Sequence, residues 1–329
     1  MSETLLQVRG LKKYFPVRGG VFLRQVGNVH AVEDVSFSVD RGKTLGLVGE
    51  SGCGKSTVGH TILNLHSPTA GNIFYEGRDI ATMNRAELKD LRRNVQIIFQ
   101  DPFESLNARH TVSRILEEPF LIHDLGTSAE RRDWASDLLH RVGLQADALD
   151  RFPHEFSGGQ RQRIGIARAI ALKPKLVVCD EAVSALDVSI QAQIINLLEE
   201  LQEQFELTFL FIAHDLSVVR HISDRVGVMY LGHMVEIADR NEIYVNPVHP
   251  YTKALLSAVP IPDPVLDAQR ERVLLSGEVP SPLNPPSGCV FHPRCPVATD
   301  ECNTVVPELR EVASGHWASC INVPGYGAY

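Results

Sequence analysis

Four short stretches hold the residues best equipped for chemistry: Gly49-Glu50-Ser51-Gly52-Cys53-Gly54-Lys55-Ser56, Phe156-Ser157-Gly158-Gly159-Gln160, Leu176-Val177-Val178-Cys179-Asp180-Glu181, and His214. The first fits the phosphate-loop pattern GxxxxGK[ST]. It lies between the apolar run Thr44 to Val48 and a helix-like run from Ser56 to Leu65, the strand-loop-helix setting that the pattern requires. Its glycines let successive backbone amides turn inward on phosphates, where the N-terminus of the following helix adds its positive dipole end. Lys55 would reach the β and γ phosphates and Ser56 would ligate Mg2+, while Glu50, Ser51, Cys53 and, one residue on, Thr57 complete the binding segment. Alone, such a loop belongs to any of many nucleotide-binding enzymes.

The run Leu176 to Cys179 reads as a short buried strand ending in two adjacent carboxylates, which a parallel sheet presents at its C-terminal edge. Asp180 is the expected magnesium partner. Glu181 is the expected general base, polarising the water that attacks the γ phosphate; the bland alternative is a solvated charge at a strand end. The Ser157-Gly158-Gly159 turn, opening a helix from Arg161 to Leu172, is a ready anion site. An ordinary capped helix start would not need two glycines.

With these residues in this order, the chain resembles the ATP-binding cassette (ABC) ATPases over residues 5 to about 240. The resemblance implies an α/β fold: a P-loop NTPase with a RecA-like core, a helical subdomain at about 102–165, and ATP with Mg2+ as ligands. It implies that Ser157, Gly158, Gly159 and Gln160 cap the nucleotide held by the phosphate loop of an opposing subunit. By the same resemblance Gln100 touches magnesium and the attacking water and faces the membrane partner. Asp187 belongs to the loop that crosses the dimer interface, and His214, after the apolar run Thr208 to Ala213, contacts the γ phosphate. Phe15 aligns with the aromatic that stacks on adenine, with Tyr14 as competitor; either could instead be plain core. Two positions depart from the family: Phe156 stands where Leu is usual, and Ala182-Val183 where Pro-Thr or Pro-Ser is commoner. Neither removes a residue assigned to chemistry, so an active site is expected.

Composition agrees. The chain has 329 residues, 44% hydrophobic and 22% charged, as in soluble globular proteins. No apolar run approaches the roughly 18 residues needed to span a bilayer, and no secretion signal is evident, so a cytosolic location is expected. A net charge of -8 offers no broad basic surface, which disfavours nucleic acid as a partner. The basic stretch Arg161 to Arg168 lies on a helix already assigned to nucleotide binding. Strand-like runs at Leu5 to Val8, Val35 to Val39, Val95 to Phe99 and 225–231 complete the alternating pattern, and Arg131 to Val142 has apolar residues at helical spacing.

Near residue 245 the composition changes: thirteen of the nineteen prolines and four of the six cysteines follow it. Such a stretch is expected not to continue the regular core, and a separate small module or a wrapped tail over 241–329 is inferred beside a nucleotide-binding domain over 1–240. Its cysteines, Cys289, Cys295, Cys302 and Cys320, are spaced x5, x6 and x17. In a reducing compartment they read as a metal site, either a [4Fe-4S] cluster or zinc, with His292 or His316 able to replace one cysteine in the zinc case. Cys53 and Cys179 read as inert neighbours of the motifs.

The run Asn246-Pro247-Val248-His249-Pro250-Tyr251-Thr252, followed by Gly288-Cys289 and Arg294-Cys295-Pro296, resembles the ATPase subunits of oligopeptide and dipeptide ABC importers. The long segment between Phe15 and Ala31 is similar to that of the second of their two paired ATPases. The resemblance implies a heterodimer with a related ATPase subunit, two transmembrane permease subunits, an extracytoplasmic substrate-binding protein, and a peripheral place on the cytoplasmic face of the inner membrane. It also favours the iron-sulfur cluster over zinc; a structural role for the cluster is the bland reading and is preferred to redox sensing. Soluble cassette ATPases of DNA repair or translation usually carry two cassettes or a long coiled-coil insertion, and neither is present. Nickel or another small solute remains open as the cargo.

Overall fold

The computed structural model describes residues 3–19, 24–259, 273 and 275–326. In chain order its strands are β1 (Thr4–Gly19), β2 (Arg24–Asp40), β3 (Thr44–Val48), β4 (Ala70–Tyr75), β5 (Arg78–Asp79), β6 (Val95–Ile98), β7 (Leu176–Asp180), β8 (Thr208–Ile212), β9 (Arg225–Tyr230), β10 (His233–Asp239), β11 (Arg310–Ala313) and β12 (His316–Ala318). The helices are α1 (Lys55–Ile62), α2 (Arg85–Asn94), α3 (Pro102–Ser105), α4 (Val112–Ile122), α5 (Ser128–Arg141), α6 (Gly158–Ile170), α7 (Val188–Phe205), α8 (Leu216–Ile222), α9 (Arg240–Val245) and α10 (Pro250–Ala258). They divide into two compact units.

One unit is built from Thr82–Ile212 with two short pieces of the N-terminal chain. Its strands β6, β7 and β8 are parallel, with Val95 opposite Leu176 and Leu176 opposite Thr208. Every residue of β7 and β8 is buried, as expected of parallel strands covered on both faces. Between β6 and β7 the chain is helical, and α4, α5 and α6 pack on one another. The apolar spacing of Arg131 to Val142 lands in α5, which a Thr127–Glu130 capping box starts.

The other unit holds Leu6–Ser38, Thr44–Ala81 and the chain from Ala213 onward. Here β3 and β9 are parallel, with Leu45 opposite Arg225, and β9 turns tightly into the antiparallel β10. A second sheet has the order β2-β1-β4-β5. The strands expected at Leu5 to Val8 and Val35 to Val39 are the buried portions of β1 and β2, whose half-exposed extensions carry too weak an alternation to be read from sequence.

The segment after residue 245 does join regular structure, contrary to the reading of its prolines. Pro250 occupies the first turn of α10, where its missing N–H would have had no helical partner anyway. Further on, β12 adds antiparallel to β10, with Glu236 opposite Ala318 and Ile237 opposite Trp317. The buried Glu236 ties these pieces together. It accepts the amides of Val248 and His249, both at 2.9 Å, and its carboxylate lies 2.7 Å from Nε2 of His316.

Candidate functional site

Strand β3 delivers the phosphate loop. At Gly54 the backbone takes φ 103°, and a Cβ there would stand 2.1 Å from the carbonyl oxygen of Ala31, so only glycine fits. Helix α1 follows with no side-chain cap at its N-terminus, the positive dipole end that suits an anion. Lys55 is buried, and its ammonium donates to the carbonyls of Gly49 at 2.8 Å and Glu50 at 3.1 Å. Ser51 and Gly52 are exposed, and Ser56 and Thr57 half-buried, in the first turn of the loop and helix. Burial pushes the Cys53 thiol up against the opposing pull of Lys55.

In the same unit Tyr14 and Phe15 separate into different roles. The Tyr14 hydroxyl donates to Glu33 at 2.5 Å, and its ring lies 4.3 Å from that of His30. Burial and that hydrogen bond push the Tyr14 phenol up to about 12. Phe15 is half-buried, edge-on to His66 at 5.3 Å with the Lys13 ammonium over its ring. Tyr14 is therefore committed to a local network, which leaves Phe15 as the stacking candidate. His214 is exposed, directly after Ala213, whose amide donates to Leu47 of β3 at 3.1 Å. The neighbouring Asp215 caps α8 through Ser217 at 2.7 Å.

In the other unit Gln100 is exposed just past β6. Asp180 ends β7, 5% exposed, and Glu181 follows in a left-handed conformation with φ 48°. The Glu181 amide donates to Ile212 of β8 at 3.0 Å and its carbonyl accepts from Ser184 at 3.0 Å, which holds the backbone in that unfavourable region. Burial pushes the Cys179 thiol far up, and the Asp180 charge adds to it. Ser157 caps α6, and its hydroxyl and the Gln160 side chain exchange hydrogen bonds with each other's amides at 3.3 and 3.0 Å. The helix thus begins at Gly158 rather than Arg161. Gly159 has a packing reason as well, since a Cβ there would fall 2.7 Å from Ile190 of α7. Phe156, standing in place of the usual leucine, is buried beneath the Arg151 guanidinium. Asp187 is the exposed N-cap of α7 but makes no side-chain cap.

The four cysteines of the C-terminal region fall on one compact fold. A short turn over His292–Arg294 links Cys289 to Cys295, and Cys289 donates its amide to the Cys302 carbonyl at 2.9 Å. That approach needs Gly288, whose φ is 65° and whose Cβ would meet the same carbonyl at 2.4 Å. Burial pushes the Cys289 thiol up to about 11, with the other three cysteines adding to the shift. Burial also raises Cys295 and Cys320. Cys302 and Cys320 are buried, the latter within a small core of Val312, Ala318 and Val323. Among the described residues, however, no three or more His, Cys, Asp or Glu side chains stand as a ready-made metal site. His316 is unsuited to replace a cysteine, because its Nε2 is engaged by the buried Glu236. His292 turns its Nδ1 to the Cys289 carbonyl at 2.8 Å.

Residues 32–184 match the family model described as ABC transporter, and residues 235–302 match that of the oligopeptide/dipeptide transporter C-terminal region. The oligopeptide transport ATP-binding protein AppF of Bacillus subtilis is 59% identical over 97% of this chain and 97% of its own. The chain belongs to the ABC transporter family. A putative peptide import ATP-binding protein of Brucella ovis is 54% identical to this ABC subunit over 98% of the chain and 99% of the relative. Among solved structures, cbiO1 of Clostridium perfringens superposes with a TM-score of 0.64 at 25% identity, covering 74% of this chain and 92% of that one. The cassette MJ0796, solved as a dimer bound to ADP and Pi, gives 0.63 at 26% identity over 71% and 98%. The fold of this ABC subunit is accordingly the P-loop cassette of mixed α/β type.

Two residues of this ABC subunit escape sequence reasoning. Tyr251 accepts the backbone N–H of Glu50 in the phosphate loop at 3.0 Å, and Arg294 bonds the Glu50 carboxylate at 3.0 and 3.2 Å. The Asn246 to Thr252 run marked the neighbourhood, but no spacing links residue 251 or 294 to residue 50.

Proposed function

We propose that this chain hydrolyses ATP to energise the uptake of di- or oligopeptides through an ABC importer. The observation that carries this reading is full-length similarity to peptide-import ATP-binding proteins, extending through the oligopeptide/dipeptide transporter C-terminal region. In our assignment the loop Gly49 to Thr57 cradles the phosphates, and Lys55 neutralises the β and γ groups. Ser56, Asp180 and Gln100 hold Mg2+, Glu181 takes the proton of the attacking water, and His214 contacts the γ phosphate. Phe15 stacks on adenine. Ser157, Gly158, Gly159 and Gln160, with Asp187, serve the nucleotide of a related ATPase subunit, so that ATP clamps the pair and hydrolysis releases it. No helix among the described residues is long and apolar enough to cross a membrane. Membrane contact in this reading is made through two permease subunits at the cytoplasmic face, with a substrate-binding protein on the far side.

Cys289, Cys295, Cys302 and Cys320 are assigned to a [4Fe-4S] cluster, with zinc as the alternative. Burial and the charges of neighbouring cysteines raise the thiols of Cys289, Cys295 and Cys320, and sulfur ligands gathered in this way suit a soft metal centre. Bound there, a cluster would cross-link an irregular module with a small core.

Affinity purification of the tagged chain from detergent-solubilised native membranes, kept anaerobic and followed by mass spectrometry, tests the assembly. A second cassette ATPase and two polytopic subunits are expected. Recovery of soluble partners only would overturn the transport reading and leave the ATPase intact.

A further inference from the structure

We infer that Arg294 and Tyr251 are positioning residues of the phosphate loop, gripping Glu50 so that the loop keeps the shape that accepts a nucleotide polyphosphate. The inference rests on the ATP reading above. Glu50 is held at three points. Its amide donates to the Tyr251 hydroxyl at 3.0 Å, its carbonyl accepts from Lys55 at 3.1 Å, and its carboxylate takes Arg294 Nη1 at 3.0 and 3.2 Å. The ion pair is sheltered, with the Arg294 side chain 9% and that of Glu50 27% exposed. Neither grip is loose. Tyr251 is fully buried, its ring 4.7 Å from Tyr230 and 5.4 Å from Phe291, and its amide donates to His249 Nδ1 at 3.1 Å. Arg294 sits in the tight turn between Cys289 and Cys295, its amide donating to the Phe291 carbonyl at 3.0 Å.

Two physical consequences follow for phosphate binding. An amide given to Tyr251 cannot turn inward, so this bond selects which loop amides remain for phosphate. A carboxylate inside an anion-binding loop repels the ligand unless neutralised, and Arg294 supplies the opposite charge through Nη1, which reaches both carboxylate oxygens. Removing Arg294 leaves Glu50 charged beside the incoming polyphosphate and free to swing, which shifts the carbonyl that Lys55 holds.

The test is a double-mutant cycle read as the affinity of the full-length chain for a fluorescent ATP analogue with Mg2+, alongside melting temperature. Arg294→Ala should weaken binding about fivefold to twentyfold, and Glu50→Gln in that background should restore most of the loss. Tyr251→Phe, which deletes only the hydroxyl, should weaken binding about threefold and lower the melting temperature by no more than a few degrees. Arg294→Lys keeps the charge and should recover part of the affinity, and it carries the test if the alanine variant does not fold. Wild-type affinity in the folded Arg294 and Tyr251 variants, or an Arg294→Ala loss that persists undiminished with Glu50→Gln, overturns the inference. Failure of the wild-type chain to bind the analogue would instead overturn the ATP reading beneath it.

Discussion

Glu181 occupies a conformation that a glutamate adopts only under constraint, φ 48° pinned from both sides by Ile212 and Ser184. That fixes the residue directly after the buried end of β7, the position from which our assignment has it act as the water-activating base. Glu181→Gln keeps the shape and loses the proton acceptor. It should bind ATP normally, accumulate a nucleotide-locked dimer on gel filtration, and lower phosphate release by about a hundredfold or more. Normal turnover would remove Glu181 from the role of base. Lys55→Ala should fail one step earlier, at nucleotide binding itself, because it deletes the buried ammonium that lines the loop. Equilibrium binding separates the two variants.

At the scale of elements, helix starts and buried turns position the chemistry. Ser157→Ala breaks the capping box of α6 and should cost about 1 kcal/mol of stability, measurable as a lower denaturation midpoint. The sheet that carries β10 and β12 makes a pH prediction. Burial holds the His249 imidazole down at about 4, against the raising influence of Glu236. The folded chain then keeps this histidine neutral while the unfolded chain protonates it near its ordinary value. Stability from this group is complete above about pH 6.5 and is lost as pH falls from there toward 4, by up to roughly 3 kcal/mol. Melting temperature should drop between pH 7 and pH 5, and His249→Asn, which retains a capping acceptor, should flatten part of that slope. An identical slope in the variant would assign the effect to other groups.

At the scale of the whole molecule, the C-terminal region is woven into the unit that carries the phosphate loop. It contributes a strand beside β10 and the two side chains on Glu50. Anaerobically purified chain should contain iron and acid-labile sulfide in near-equal amounts, and Cys302→Ser should lose both. Zinc without sulfide would assign the site to the alternative metal, and a metal-free chain with unaltered stability would retire the cluster.

Residue chemistry and local periodicity are written in the sequence. The phosphate loop, the paired carboxylates after an apolar strand and the serine before two glycines are legible because each depends on neighbours within about ten residues. The same holds for β3, β7 and β8, which are short continuous apolar runs because every residue is buried, and for α5, whose buried face imposes a helical period on the chain. Tertiary structure alone decided what distant segments do to each other. Burial of Glu236 commits His316 to a carboxylate, Ile190 accounts for Gly159, and α10 forms despite its proline-rich setting. Glu50 is gripped by residues some two hundred positions away. Contacts of that kind leave no periodic trace, because they are set by which buried surfaces meet once the chain has closed, not by the order of residues along it.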